Sequence, residues 1–226
     1  DHARQISLAP AAKQRTRGLE RLSPSMLEGG GVVKATSMFN RHGVAARRKG
    51  TLIHALFESI GWLDETPVDK HTLRQLALRH AITTQMPDHE VDHALADFHR
   101  ALESAAIRTA LSRSGYANRK ACQDTDLEVL HEYPFAVRQD GHLLNGLVDR
   151  LILFRRNARV IGADIVDFKT DHLDPDDTAS LEARLAYYRP QLEGYRRAIS
   201  ATFQLPNSSI SCQLLLVTSG LVRQFE

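Results

Sequence analysis

The first half of the chain carries its apolar residues at the spacing of amphipathic helices. In residues 50–61, four apolar side chains fall on one stripe, while His54 and Glu58 share another face one turn apart. Residues 70–85 and 88–113 keep the same period, and an aspartate at the start of the second segment is suited to cap it. The pattern therefore predicts three helices in this half.

The segments before the first of these helices are less regular. Residues 1–22 have no clear period and are predicted to form a linker or arm. Ser23-Pro24-Ser25 favours a helix start, with serine as the N-cap and proline in the first turn, and Gly29-Gly30-Gly31 is expected to end that helix early. Residues 32–49 are predicted to be irregular.

The second half changes to the period of β-strands. Two β-branched runs, 146–154 and 160–168, surround a short polar turn, which is typical of a hairpin. Both faces of these runs are apolar, so we expect other elements to cover the sheet. The remaining predicted elements are a strand over 132–138, a helix over 181–203 that Pro190 kinks or restarts, and strands over 210–217 and 221–225.

This order of elements predicts one α/β domain with a mixed central sheet and helices on both sides. A length of 226 residues is enough for one elaborated domain. The domain is predicted to cover residues 23–226, with a mainly helical part over 23–130 and a core over 131–226.

The hairpin brings charged residues together. If its turn is centred near residue 158, Asp149 lies opposite Asp167, and Lys169 projects from the same face as Asp167. Two facing carboxylates repel each other unless a cation joins them, and Mg²⁺ prefers oxygen ligands. A neighbouring lysine can orient water and offset charge on a phosphate. A cross-strand Asp–Lys ion pair remains the alternative, and a bulge at Gly162 would shift the register.

Charge modifies this picture only locally. The 29 Lys and Arg nearly balance the 27 Asp and Glu, and a net charge of +2 excludes a simple polybasic nucleic-acid binder but not a basic groove. Two basic groups stand out. They are Arg41, Arg47, Arg48 and Lys49 before the His54 helix, and Arg155, Arg156 and Arg159 at the hairpin turn.

A second motif competes for the function. His89, Glu90 and His93 form an H-E-x-x-H sequence on a helix, which is the zinc-binding pattern of metallopeptidases. His99 stands where a longer version of that motif has its third ligand, but a straight helix rotates His99 away from His93. Ala96 replaces the glycine that would turn the chain. A solvated histidine-rich helix face is therefore the favoured interpretation.

The hairpin segments GLVDR and IVDFKT, residues 146–150 and 165–170, resemble the catalytic core of the PD-(D/E)XK nuclease superfamily, in particular its RecB-like nuclease domains. Three further segments are similar to that family and follow in its order. They are SPSML at 23–27, KGTLIHALFE at 49–58 and QLEGY at 191–195.

The resemblance implies roles for individual residues. His54, Asp149, Asp167 and the backbone carbonyl of Phe168 would bind Mg²⁺ or Mn²⁺, and Lys169 would position the attacking water. A second set would serve the substrate or support the ligands. Gln191 would support the lysine or touch DNA, Tyr195 would line the strand path, Arg47, Arg48 and Lys49 would track phosphates, and Glu58 would orient His54.

The resemblance also implies a biological setting. Two cysteines are too few for the four that hold the iron–sulfur cluster of one family branch, which places the chain with the cluster-free branch. In that branch the nuclease follows a UvrD-like helicase that acts in DNA repair or recombination, sometimes with a second subunit, on DNA that is single-stranded. The chain starts without methionine and lacks a Walker motif, so we expect the motor upstream.

Cysteine usage predicts a reducing cytosolic setting, and no apolar stretch is long enough to span a membrane. The resemblance adds the expectation of a bacterial cytoplasmic, nucleoid-associated protein. The alternative within the same fold is a catalytically silent module that binds DNA or a partner. The zinc peptidase is the remote alternative.

Overall fold

The computed structural model describes residues 19–30 and 41–225, apart from residues 68, 118, 140 and 175. Most of the predicted arm lies outside the described residues, as does Gly31. The helices are α1 Arg41–Glu58, α2 Lys70–Thr84, α3 Asp88–Glu103, α4 Ala105–Leu111, α5 Ser114–Ala117 and α6 Thr178–Phe203. The strands are β1 Glu20–Leu22, β2 Asp126–Gln139, β3 His142–Arg156, β4 Arg159–Lys169, β5 Ile210–Leu216 and β6 Leu221–Phe225. Short 3₁₀ helices cover Pro24–Gly30, Lys120–Cys122 and Asn207–Ser209.

The strands form one mixed six-stranded sheet, which confirms the predicted α/β class. Strand β3 is central: β2 pairs with it antiparallel, while β1 and β4 share its other edge. Beyond β4 the order continues with parallel β5 and antiparallel β6. Helices α1–α4 cover one face around one apolar cluster, and α6 covers the other face around a second. Among the described residues, no helix is both long and apolar enough to cross a bilayer.

The predicted hairpin register is confirmed. Arg150 faces Val166 and Phe154 faces Gly162, as a turn near residue 158 requires. The one register shift in this hairpin lies between Phe154 and Arg155 rather than at Gly162. Glycine is needed at 162 for another reason, since a Cβ there would stand 2.8 Å from the Phe154 ring. The register beyond the bulge is thus the one that aligns the two aspartates.

Several predicted boundaries were wrong. Helix α1 begins at Arg41, so the described part of the supposedly irregular segment before Gly50 is helical. The predicted helix over 88–113 is divided at Ser104, whose hydroxyl caps α4 at the Ile107 N–H and donates to the carbonyl of Gly220. At the start of α3, Pro87 and not Asp88 is the N-cap residue.

Two further boundaries differ from the sequence pattern. Helix α6 runs through Pro190 as one helix and starts at Thr178, with Asp177 as its cap. Residues 20–22, from the segment predicted as an arm, pair parallel with β3 as strand β1. The chain therefore joins the sheet before the predicted start of the domain at residue 23.

Candidate metal centre

The site lies where β3 and β4 separate. Their ladder stops at the pair Arg150–Val166, one position before Asp149 and Asp167 would meet. Asp149 instead accepts a hydrogen bond of 2.9 Å at Oδ2 from the backbone N–H of Phe168. Asp167 stays paired with β5 and is 1% exposed. The two carboxylates thus face an opening between strands that remain paired elsewhere.

The β2–β3 pair changes faces at the same place. Val129 packs in the cluster under α1, but Tyr133, an even number of residues further along β2, packs in the cluster under α6. In β3, Val148 and Ile152 differ in the same way. Between the two changes of face, one residue pair of the β2–β3 ladder is missing, namely Glu132 opposite Asp149. The register of the two strands is the same before and after this gap. Glu132 makes this change of face in the left-handed region, at φ 45°.

Helix α1 brings His54 to the opening. Its Nε2 lies 3.0 Å from the carbonyl oxygen of Phe168, and its Nδ1 lies 3.5 Å from Asp149 Oδ2. The helix is held down by its buried apolar stripe, in which the Phe57 ring stacks on the Phe168 ring at a centroid distance of 4.5 Å. The residue that carries the carbonyl therefore also packs against the helix that carries the imidazole.

Arg150 fixes the end of the same helix to the sheet. It is fully buried, and its guanidinium donates to the carbonyls of Ile60 and Gly61 at 2.7 Å and 2.6 Å. These carbonyls lie just beyond the end of α1 at Glu58, where backbone acceptors lack helical partners. Because Arg150 follows Asp149 in β3, one short stretch of strand positions both a carboxylate and the helix that bears His54.

Three side chains form a group that can hold a metal ion. One ligand atom each from His54, Glu132 and Asp149 lies within 4.8 Å of the others, and all three residues are half-buried. Burial lowers the pKa of His54, but Asp149 and Asp167 outweigh it and raise the pKa to about 8. Burial, with the charge of Asp149, raises the pKa of Glu132. Glu132 was not among the site residues predicted from the sequence.

Lys169 lies beside this group. Its Nζ is 3.0 Å from Asp167 Oδ2, 3.4 Å from Glu28 Oε1 and 4.6 Å from the centroid of the Tyr188 ring. Burial lowers the pKa of Lys169, but the nearby carboxylates outweigh it and raise the pKa above its ordinary value. Burial raises the pKa of Asp167, and the positive charge of Lys169 partly offsets this increase. Lys169 therefore pairs with Asp167 of its own strand, which differs from the cross-strand Asp–Lys pair of the sequence-based alternative, and this pair is part of a larger cluster.

Gln191 and Tyr195 lie beneath the carboxylates, in the interface between α6 and the sheet. They are 3% and 5% exposed, and the Gln191 amide donates to the Tyr195 hydroxyl at 3.2 Å. Burial, together with Asp167 and Asp149, raises the pKa of Tyr195 above its usual range. The two side chains therefore face the cluster from inside the domain, where they are suited to support it rather than to line an exposed path.

The three residues predicted to track phosphates, Arg47, Arg48 and Lys49, differ in their exposure and contacts. Lys49 forms an ion pair with Asp97 on α3. Arg47 is exposed and stands seven residues before His54, so both lie on the same side of α1. Arg48 is half-buried one position further round the helix. A groove of about 570 Å³ runs past His54, and Gly50, Thr51, Ala55, Glu58, His80 and Glu132 line it with that imidazole.

Other residues singled out from the sequence do not join the group of metal-ligand atoms. Glu58 is exposed in the groove, and the carboxylate found at His54 Nδ1 is that of Asp149. At the hairpin turn, Arg155 pairs with Glu128 and Arg156 donates to the carbonyls of Gln123 and Asp124. These two arginines therefore tie the start of β2 to the hairpin.

The H-E-x-x-H motif does not form a metal group in the described part of the chain. His89 and His93 are exposed on α3, with ring centroids 6.3 Å apart, and neither belongs with Glu90 to a cluster of three close ligand atoms. The favoured interpretation, a solvated histidine-rich helix face, agrees with this placement.

Comparison with known families identifies the class of protein. The family model of the PD-(D/E)XK nuclease superfamily matches residues 27–224, so the chain belongs to that superfamily. Members are metal-dependent phosphodiesterases that act on nucleic acids, and membership implies this activity here. No curated protein sequence matches the chain at a significant level.

Proposed function

We propose that this chain is a divalent-metal-dependent deoxyribonuclease whose centre is the opening between β3 and β4. The observation that carries the proposal is the convergence of His54, Glu132 and Asp149 within 4.8 Å, beside an Asp167–Lys169 pair at 3.0 Å. These residues come from three strands and a helix, and they meet in a chain that belongs to a nuclease superfamily.

The donor atoms fit Mg²⁺ or Mn²⁺. Neighbouring ligands on an octahedral ion of this size are about 3 Å apart, since each metal–oxygen distance is about 2.1 Å. His54 Nε2 and the Phe168 carbonyl oxygen are separated by 3.0 Å. Carboxylates from Glu132 and Asp149, which belong to the close group, and from the neighbouring Asp167 would complete a set dominated by oxygen, which hard cations prefer. The two cysteines are buried and stand apart from the group.

Each residue then has a chemical task. A bound cation would polarise a scissile phosphate oxygen and lower the pKa of a water molecule. Lys169 would orient the attacking water and offset the negative charge that develops on the phosphate. Gln191 and Tyr195 would hold the cluster from below, because Tyr195 is buried close enough to Asp167 and Asp149 to feel their charges and Gln191 donates to its hydroxyl. Arg47 would meet a backbone phosphate further along the groove, on the His54 side of α1.

The resemblance to RecB-like domains supports a finer proposal. The substrate would be single-stranded DNA delivered by a UvrD-like helicase, encoded upstream or in a partner subunit, during repair or recombination in the bacterial cytoplasm. The iron–sulfur branch of the family is not proposed, since the chain has only two cysteines. Arg48 and Lys49 would belong to this path only if Lys49 leaves its ion pair with Asp97.

Cleavage assays test the proposal. Asp167→Ala and Lys169→Ala should each abolish Mg²⁺-dependent cleavage of a single-stranded oligonucleotide, while Lys70→Ala, an exposed lysine on α2, should leave it unchanged. Circular dichroism would verify that the variants fold. Full activity in both site variants would refute the assignment. Metal binding without cleavage by the wild-type chain would favour the silent module instead.

A further inference from the structure

Lys169 has a second carboxylate neighbour that comes from a distant part of the chain. Glu28 Oε1 lies 3.4 Å from Lys169 Nζ, and Asp167 Oδ2 lies 3.0 Å from the same nitrogen. The side chains of Lys169 and Glu28 are only 15% and 20% exposed, so water screens this pair weakly. Glu28 is not part of the group of close metal-ligand atoms.

The backbone conformation around Glu28 and its packing on α6 place the Glu28 carboxylate beside Lys169. The 3₁₀ helix Pro24–Gly30 breaks at Glu28, where ψ is 138°, and Gly29 then turns at φ 61°. A side chain at Gly29 would meet the Tyr187 ring of α6, since a Cβ there would be 2.6 Å from it. The Leu27 side chain also packs closely on α6, because a Cβ at Gly194 would lie only 3.1 Å from Leu27 Cδ1. Close packing on both sides therefore fixes the backbone that carries Glu28.

The two carboxylates at Lys169 have different duties. In the proposed function Asp167 binds the metal, and a carboxylate that coordinates a cation has less charge to offer an ammonium group. Glu28 is not among the proposed metal ligands, so its charge remains available to the ammonium group. The Tyr188 ring lies 4.6 Å from Nζ and provides a cation–π contact to the same ammonium.

We propose, resting on the proposed nuclease function, that Glu28 is a positioning residue that holds the Lys169 ammonium in place while Asp167 binds the metal. The N-terminal 3₁₀ helix would then complete the active site. A misplaced catalytic group typically costs up to about 100-fold in rate. Loss of Glu28 should therefore slow the chemical step without weakening the metal site.

The test compares turnover with metal affinity in the full chain. Glu28→Gln and Glu28→Ala should each lower kcat on a single-stranded oligonucleotide by about 10-fold to 100-fold. KM, the melting temperature and the Mn²⁺ affinity measured by calorimetry should stay close to wild type. Glu20→Gln, which removes an exposed carboxylate paired with His142 in the same part of the chain, should change none of these.

Each contrary result has a separate meaning. Wild-type kcat in both Glu28 variants would overturn this inference and leave the nuclease assignment intact. A parallel loss of kcat and Mn²⁺ affinity would also overturn it, because Glu28 would then be a ligand. A wild-type chain that neither cleaves nor binds Mn²⁺ would overturn the proposed function and this inference with it.

Discussion

The left-handed conformation of Glu132 gives a prediction in which the usual preference between alanine and glycine is reversed. In an ordinary strand position, glycine is less stable than alanine by about 0.5–1 kcal/mol because it loses more backbone entropy on folding. At φ 45°, a residue with a Cβ pays about 1–2 kcal/mol of steric strain that glycine does not. Glu132→Gly should therefore be at least as stable as Glu132→Ala.

Ala136 provides the matched control, since it lies exposed in the same strand without a positive φ. Ala136→Gly should lose about 0.5–1 kcal/mol of unfolding free energy in urea titrations. At each position, the unfolding free energy of the alanine form is subtracted from that of the glycine form. This difference should be about 1–2 kcal/mol more favourable to glycine at 132 than at 136. Both substitutions remove the same carboxylate, so its loss cancels in the comparison at 132.

The same variants test why the strain is present. Glu132→Ala and Glu132→Gly should lose Mn²⁺ affinity to a similar extent, because the carboxylate and not the backbone is the proposed ligand. Strained residues persist where function requires their side chains. Equal glycine-minus-alanine differences at 132 and 136 would refute the strain argument. Wild-type Mn²⁺ affinity in both variants would refute the role of Glu132 as a ligand.

Three other predictions follow from named contacts. Arg150→Met should cost about 1–3 kcal/mol of unfolding free energy in urea, because the carbonyls of buried Ile60 and exposed Gly61 lose the guanidinium as a donor. It should also weaken Mn²⁺ binding by loosening α1, and an unchanged affinity would contradict the positional link. Phe57→Ala should cost about 3–5 kcal/mol through its buried contacts with Phe168, whereas a loss below 1 kcal/mol would show that this packing is not needed. Burial, with Arg150 nearby, lowers the pKa of His131 to about 4, so folding favours the neutral imidazole and stability should fall as the pH drops from 6.5 toward 4. In urea titrations at several pH values, His131→Gln should reduce the slope of stability against pH, and a slope identical to that of the wild type would contradict this prediction.

The hairpin of β3 and β4 could be predicted because its information is local. The polar turn near residue 158 fixes the register, and the register determines which residues oppose Asp149. The alternation of apolar residues likewise located most of the strands. Helix boundaries were less accessible, since Ser104 divides a continuous apolar stripe through contacts with Gly220 and the Ile107 N–H, which one sequence does not reveal.

The two acidic residues that were missed differ in how they could have been found. Glu132 had a usable signal: Asp140-Gly141 favours a hairpin turn, and a second hairpin about that turn places residue 132 opposite Asp149. Glu28 had none, because it meets Lys169 only through the packing of the 3₁₀ helix on α6. Long-range contacts of that kind depend on the whole fold.

The proposed function requires that the opening between β3 and β4 binds the divalent cation used for cleavage. Calorimetric titration of Mn²⁺ into the full chain, followed by oligonucleotide cleavage on the same samples, tests it most directly. The wild-type chain should bind Mn²⁺ and cleave, and Asp149→Ala should lose both while remaining folded. Mn²⁺ affinity and cleavage that both survive in folded Asp149→Ala would show that the cation used for cleavage binds elsewhere.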